Sequence, residues 1–168
     1  MISLKQFIGH SKHLGLDYAV IRNWHQPTPS IREFRELYDF GFEEGRVSIK
    51  ERRYPESFKV FLDEAIKAYP DVEYEFFLME CPTFRNLDPD AGTYLHTDPT
   101  DTIHWQCRGV SEWFIGPDLE SIILEPGDLL WFKAQTQHRV ENLTEKYALI
   151  FAESSPLLFH DQNGNYNG

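Results

Sequence analysis

The sequence predicts a single mainly β domain of the α+β class, in which helices precede a β sandwich or barrel. In residues 1–71, apolar residues at helical spacing alternate with short strand-like runs, and in residues 72–155 the helical periodicity is gone. The later runs are rich in β-branched and aromatic residues and are separated by Pro, Gly or Asp. No segment rich in Pro, Gly or Ser divides the chain, so we expect one domain over residues 1–160.

Three helices are predicted in the N-terminal part. The first is expected to begin after Ser3, a candidate N-cap, and to stop near Gly15. The second begins after Ser30, which has capping-box spacing to Glu33, and is expected to end at Gly41. The apolar face of the third helix is formed by Phe58, Phe61, Leu62 and Ile66.

Short strand-like runs make up most of the remaining sequence, and their lengths and spacing are typical of a sandwich or barrel. The predicted strands are 17–24, 47–51, 72–80, 93–98, 102–107, 111–116, 121–125, 128–133 and 146–153. The last stretch, 161–168, has no apolar periodicity, and we expect it to be a flexible tail.

Charge and composition narrow the class of function. The chain has 16 Lys and Arg against 27 Asp and Glu, and a net charge of −11 repels phosphate backbones and anionic membranes. We therefore expect no nucleic-acid partner and no membrane association. Cys81 and Cys107 have no CxxC spacing and are expected to be free thiols in a reducing compartment. No apolar run is long enough for a signal peptide or a membrane span, so we expect a soluble cytoplasmic protein.

Three residues form a candidate metal site. His96 and Asp98 are two residues apart, so on a strand they would point to the same face. His138, several predicted strands later, can reach the same point if the sheet closes on itself. Two histidines and one carboxylate on one side of a metal form the facial triad, which leaves positions open and suits non-heme Fe(II). The HxD pattern is short enough to arise by chance, and the sequence around His138 strengthens it.

A wider pattern carries a resemblance to a known family. Residues 126–128 (PGD) form a turn before an apolar strand, and His138 lies eleven residues after Gly127, the spacing of the second cupin motif. Residues 92–151 resemble the JmjC-type, cupin-like Fe(II)- and 2-oxoglutarate-dependent oxygenases, and residues 18–24 resemble the opening strand of JmjC domains. The residues in the family's order are His96, Asp98, Asp101, Gln106, Gly109, Trp113, Pro126, Gly127, Asp128 and His138.

This resemblance implies a fold, a cofactor and an activity. The core would be a double-stranded β-helix, or jelly roll, buttressed by the N-terminal helices. His96, Asp98 and His138 would bind Fe(II), with other divalent metals as substitutes, and would be the catalytic centre. 2-Oxoglutarate would be the cosubstrate of a hydroxylase-type oxidation of a C–H bond. The substrate would be a small molecule or a short peptide, because 168 residues leave little chain for a peptide groove. Cupin-like barrels often pair, so a homodimer stays open.

The cosubstrate residues are predicted by the same resemblance. Relatives often have a Lys or Arg fifteen residues after the first histidine of the HxD motif, and this position is Ser111 here. In other branches the basic residue opens the strand after the distal histidine, where this chain has Lys146, with Arg139 next to the ligand. Thr93 matches a threonine that helps in some relatives. We therefore predict Lys146 with Thr93 for the far carboxylate.

One face of a strand supplies further candidates. With a period of two, Thr102, His104 and Gln106 share a face, which in the family lines the cosubstrate pocket. His104 is either a polar pocket residue or a histidine hydrogen-bonded within the core. Asp101 or Gln106 could orient the metal ligands.

Two departures and an alternative accompany this prediction. Lys133 and Gln135 stand where cupins usually have Pro and Gly, so the loop before His138 is expected to be shaped differently. Ser111, in place of a basic residue, favours a metal-binding cupin without 2-oxoglutarate turnover. Such a protein would be a small-molecule binder, an isomerase or another dioxygenase.

Overall fold

The computed structural model describes residues 1–38, 46–48, 56–70, 74–81 and 95–153. Three helices and nine strands lie in this part of the chain. The helices are α1 Leu4–His13, α2 Ile31–Tyr38 and α3 Glu56–Ala68. The strands are β1 Tyr18–Ile21, β2 Arg46–Ser48, β3 Tyr74–Cys81, β4 Thr102–Arg108, β5 Ser111–Ile115, β6 Glu120–Leu124, β7 Leu129–Phe132, β8 His138–Asn142 and β9 Lys146–Glu153.

The strands form two antiparallel sheets. The larger has the order β1-β7-β4-β9-β3-β2, and the smaller has the order β6-β5-β8. An isolated bridge pairs His96 with His138, so the chain at His96 lies beside β8. The predicted mainly β fold with a jelly-roll-like core is confirmed.

The helices cover one face of the large sheet. Alternate residues of its strands, such as Ile103, Trp105 and Trp131, are fully buried in one hydrophobic cluster with Phe61 of α3 and Leu4 of α1. The Phe61 and Trp105 rings stack with their centroids 5.9 Å apart. This cluster is the main core, because each of these side chains removes a large apolar area from water.

The opposite face of the large sheet turns toward the small sheet. A second, smaller cluster fills part of that space with Trp113, Ile115, Leu124, Leu130 and Phe132. Cys107 is a free thiol, as predicted, and it lies in the helix-covered cluster on the face of β4 opposite Gln106. Burial raises the pKa of this thiol well above its usual value. Polar side chains that are buried in the space between the two sheets are candidates for a functional role, because burying a polar group costs free energy.

Two features of the sheets differ from the prediction. β1 pairs with β7 and β2 pairs with β3, so strands of the N-terminal part form both edges of the large sheet. Strand β8 was not predicted, because its alternate residues Arg139 and Glu141 are charged and pair with each other. Within the described part of the run 93–98, the only pairing is the bridge at His96. Gly41 and the tail 161–168 lie outside the described residues.

Of the two predicted N-cap residues, Ser30 caps its helix with its side chain and Ser3 does not. Ser30 and Glu33 form the capping box: the Ser30 N–H donates to Glu33 Oε2 at 2.7 Å, and the Glu33 N–H donates to Ser30 Oγ at 3.3 Å. Ser3 stands at the N-cap of α1, but its side chain makes no capping bond. The Leu4 N–H donates instead to Glu64 Oε2 of α3, at 3.1 Å. In the described residues, no helix is both long enough and apolar enough to cross a membrane.

Candidate metal centre

The three predicted ligands lie together. The candidate ligand atoms of His96, Asp98 and His138 are all within 4.8 Å of one another. His96 Nε2 is 3.8 Å from Asp98 Oδ1, and His138 Nε2 is 3.5 Å from Asp98 Oδ2. Nitrogen and oxygen donors at these separations can share one divalent ion, since each bond to such an ion is about 2 Å long.

A backbone pairing brings the two histidines together. The His96 N–H donates to His138 O at 3.0 Å, and the His138 N–H donates to His96 O at 2.9 Å. Residues directly opposite in an antiparallel pair have neighbouring Cβ atoms on the same face. The imidazole rings consequently lie with their centroids 4.3 Å apart.

The loop 133–137 holds Asp98 in place. The Gln135 N–H donates to Asp98 O at 2.8 Å, and the Thr97 hydroxyl donates to Gln135 Oε1 at 3.2 Å. Gln135 has a φ of 65°, the left-handed conformation that a glycine takes easily. Gln135 thus adopts a conformation that favours glycine, and the expectation of a differently shaped loop stays a prediction.

The imidazole of His138 is oriented for ligation. Its Nδ1 lies 2.9 Å from Thr136 O, so Nδ1 carries the proton and the Nε2 lone pair faces Asp98. Burial lowers the pKa of His138 below its usual value, although the nearby Asp98 carboxylate and the bond to Thr136 act in the other direction. Neutral imidazole is the form that binds a metal.

The centre is closed on one side and open on the other. The His138 side chain is 3% exposed, whereas those of His96 and Asp98 are 25% and 32% exposed. The ligands thus lie at the mouth of the space between the sheets, with solvent access from the HxD side. An ion bound there would keep coordination positions for further ligands.

The glycine-aspartate turn anchors the strand that leads to His138. Asp128 accepts hydrogen bonds from the Asn23 N–H at 2.9 Å and from the Glu125 N–H at 3.0 Å, and it pairs with Arg22 at 2.6 Å. Gly127 has a φ of 101°, and a Cβ there would lie 2.5 Å from Gln26 Nε2. The motif therefore joins the start of β7 to the end of β1.

The inner face of β4 carries three buried polar residues, as the period of two predicts: Thr102, His104 and Gln106. The Gln106 amide donates to Gly109 O at 3.0 Å. Its Oε1 accepts from Ser111 Oγ at 3.2 Å and lies 2.9 Å from His104 Nε2. The amide oxygen can only accept, so His104 carries its proton on Nε2 and a lone pair on Nδ1.

His104 is a buried acceptor without a partner. The residue is 1% exposed, and among the described residues its Nδ1 has no hydrogen-bond partner. Burial, followed by the positive charge of Lys146, lowers the pKa of His104 to about 3. The hydrogen bond of Nε2 to Gln106 agrees with the interpretation of His104 as a histidine bonded within the core, and its role as a pocket residue stays a prediction.

Lys146 lies in the same interior. It begins β9, is 1% exposed, and its ammonium lies 5.6 Å from the centroid of the Trp113 ring. That ring also meets the His104 ring edge-on at 4.9 Å and stacks on the His138 ring at 5.9 Å. Arg139 points elsewhere, since it pairs with Glu141 and lies over Phe114. Thr93 lies outside the described residues.

Asp101 and Gln106 bond to groups other than the metal ligands, and that one of them orients the ligands stays a prediction. Gln106 supports His104, and Asp101 accepts from the Tyr69 hydroxyl at 2.7 Å and the Ala134 N–H at 2.9 Å. The group that orients His138 is the carbonyl of Thr136. Sequence reasoning missed it because a backbone carbonyl leaves no residue-type signal.

Comparisons with known proteins agree with this fold. No protein-family model matches the sequence, and a search of curated proteins gave no match. The ribosomal oxygenase YcfD from Escherichia coli, in complex with cobalt and succinic acid, is similar with a TM-score of 0.59 at 13% identity, over 98% of this chain and 54% of that chain. The YcfD complex with cobalt and 2-oxoglutarate gives 0.58 at 14% identity, over 93% and 53%. The chain spans about half the length of YcfD, and the likeness shows a common fold.

Proposed function

We propose that this chain is a metal-dependent oxygenase that uses Fe(II) and 2-oxoglutarate for a hydroxylase-type oxidation of a C–H bond. The observation that supports it most is the meeting of His96, Asp98 and His138, with ligand atoms within 4.8 Å of one another. Two neutral imidazoles and a carboxylate are the donor set of non-heme Fe(II), and other divalent ions bind the same donors. Fe(II) would supply the redox chemistry by which O₂ oxidises the substrate while 2-oxoglutarate becomes succinate and CO₂.

The interior polar residues fit an organic acid. Lys146 puts a positive charge on the inner face, one aromatic ring away from His138. A buried ammonium recognises a carboxylate well, because the charge-assisted bond forms away from competing water. In the proposal, Lys146 holds the far carboxylate of 2-oxoglutarate, with Thr93 as a second contact.

The inner face of β4 would form one wall of the cosubstrate pocket, with different roles for His104, Gln106 and Thr102. Gln106 uses its amide to fix the tautomer of His104 and so supports the wall. His104 Nδ1 can accept but not donate, so it would reach a carboxylate through a bridging water. Thr102, buried on the same face, would line the pocket.

Metal binding is the first test. Asp98→Ala and His138→Ala are each expected to abolish tight binding of Co(II), an optical substitute for Fe(II), because each removes one of three ligands. The exposed residues Asp118 and His13 supply matched control variants, Asp118→Ala and His13→Ala, that retain binding. Titration followed by visible absorption measures the affinity. If either ligand variant binds Co(II) like the unmodified chain, that residue is not a required ligand.

Turnover is the second test. With Fe(II), ascorbate and O₂, the protein is expected to form succinate from 2-oxoglutarate even without its own substrate. Lys146→Met is expected to weaken 2-oxoglutarate binding by about 10-fold or more, since a charged hydrogen bond contributes roughly 1.5–3 kcal/mol. Lys67→Met, on the exposed side of α3, is the control. A metal-loaded protein that neither binds nor consumes 2-oxoglutarate would exclude the oxygenase.

A metal-binding cupin without 2-oxoglutarate turnover is the second candidate. Ser111 favours it, since this residue stands where relatives often have a basic residue and is bonded to Gln106 and Trp113 instead. Such a protein would bind a small molecule, or act as an isomerase or another dioxygenase. Anaerobic calorimetry separates the two, because this candidate takes up metal but not 2-oxoglutarate.

A further inference from the structure

We propose that Asp101 is a positioning residue of the metal centre, joining the helical layer to the two chain segments that carry the ligands. The inference rests on the metal binding of the proposed function and is independent of the cosubstrate. Asp101 would not touch the ion. It would set the separation of Asp98 and His138 through the loop 133–137.

The Asp101 carboxylate joins four parts of the molecule. Its Oδ1 accepts from the Ala134 N–H at 2.9 Å, and its Oδ2 accepts from the Tyr69 hydroxyl at 2.7 Å. Lys12 of α1 pairs with Oδ2 at 2.6 Å. The Trp131 indole N–H donates to the Tyr69 oxygen at 3.0 Å, which ties the end of α3 to β7. A single buried side chain therefore bonds the helical layer and the loop.

The loop 133–137 then holds both ligand segments. The residue after Ala134 is Gln135, whose N–H donates to Asp98 O at 2.8 Å. The next residue, Thr136, accepts the Nδ1 proton of His138 at 2.9 Å. Asp101 fixes the Ala134 amide, and the two loop residues that bond to the ligand residues, Gln135 and Thr136, directly follow Ala134 in the chain.

The loop has a second anchor, which makes the proposal testable. Asp17 O accepts from the Lys133 N–H at 2.9 Å and from the Thr136 hydroxyl at 3.2 Å. Removing Asp101 would therefore release Ala134 without detaching the whole loop. Geometry at the ligands is expected to change more than the fold does.

The experiment measures Co(II) affinity and the visible Co(II) spectrum of the full chain. Asp101→Ala is expected to weaken binding by about 10-fold or more and to alter the spectrum, as loss of a support outside the ligands commonly does. Asp101→Asn keeps an oxygen for the Ala134 N–H and is expected to restore the affinity to within about 3-fold and the spectrum to the unmodified form. If Asp101→Ala fails to fold, Asp101→Ser, too short to reach Ala134, takes its place.

Asp128→Ala is the matched control. Asp128 is a buried carboxylate at the other end of β7 that also accepts backbone hydrogen bonds, so its loss lowers stability without contact with the ligand loop. The proposal is overturned if the Asp101 variant that folds binds Co(II) with unchanged affinity and spectrum, or changes no more than Asp128→Ala. Failure of the metal centre itself is recognised separately, because Asp98→Ala and His138→Ala would then bind like the unmodified chain.

Discussion

A neutral histidine in the interior makes stability depend on pH. His104 has a pKa of about 3 in the folded chain against an ordinary 6.5. Below pH 6.5 the unfolded chain binds a proton at this residue that the folded chain does not bind until about pH 3, so stability falls as pH decreases through this window. The loss contributes up to about 1.4 kcal/mol per pH unit.

His104→Gln is expected to remove this contribution. Urea unfolding from pH 7 to pH 4 would give a shallower fall in the free energy of unfolding than the unmodified chain shows. His13→Gln, at an exposed residue, is the control and keeps the original slope. Equal slopes for His104→Gln and the unmodified chain would contradict the buried, neutral state.

Two glycines have opposite expectations on substitution by alanine. Gly109 has a φ of 75°, and a Cβ there would lie 1.8 Å from Glu145 O, so Gly109→Ala is expected to destabilise the fold. The cost exceeds about 2 kcal/mol, since left-handed strain adds to a backbone clash. Gly9, within α1, would place its Cβ in open space, and Gly9→Ala is expected to stabilise by about 0.5–1 kcal/mol. Thermal unfolding of both variants checks the pair, and a stable Gly109→Ala would show that the turn relaxes.

For single residues, the three metal ligands could be predicted from the sequence, but the groups that hold and orient them could not. His96, Asp98 and His138 follow from residue chemistry and spacing. The left-handed Gln135 and the carbonyl of Thr136 depend on a loop conformation set by contacts from distant segments. No pattern in the local sequence encodes such contacts.

Among the elements, α3 packs on the large sheet through an aromatic contact of Phe61. Phe61 is fully buried and stacks on Trp105, so Phe61→Ala is expected to cost about 3–5 kcal/mol through lost burial and a cavity. Ile66, on the same predicted face but only partly buried, is the comparison, and Ile66→Ala is expected to cost less. Denaturant midpoints measure both changes. Equal losses would mean that α3 docks through its whole face.

The strands with an apolar signal are the easiest to predict. β7 and β9 lie between neighbours in the large sheet and are continuous apolar or aromatic runs, whereas β4 alternates apolar residues with Thr102, His104 and Gln106. β8 lacks this signal because its outward residues are Arg139 and Glu141. Its place is set by pairing with β5 and with His96, which are non-local interactions.

For the whole molecule, metal binding is expected to raise stability and acid to reverse the gain. A metal at 100 times its dissociation constant adds about 2.7 kcal/mol if it binds only the folded chain. The ligand histidines must be neutral, so the gain is lost at mildly acidic pH. Thermal unfolding with and without Co(II) at several pH values measures this, with Asp98→Ala as the control that shows no gain. A gain that persists well below pH 6 would argue against imidazole ligands.

The architecture could be predicted because it follows from composition and periodicity along the chain. A mainly β core after N-terminal helices matches the loss of helical periodicity at residue 72. That β1 and β2 form the edges of the large sheet could not be predicted, since short strands give no indication of which partner they join. Which strands pair depends on contacts between segments that are far apart in the sequence.

The reciprocal amide bonds between His96 and His138 have a consequence for how the protein would acquire its ion. The backbone itself brings the ligands together, so folding would not have to depend on binding of the ion. Zinc fingers differ, because they fold only when they bind zinc. A chelator is then expected to strip the ion and leave a native scaffold that refills on dialysis. Supply of the ion could therefore switch such a protein off and on repeatedly, without synthesis of new chains.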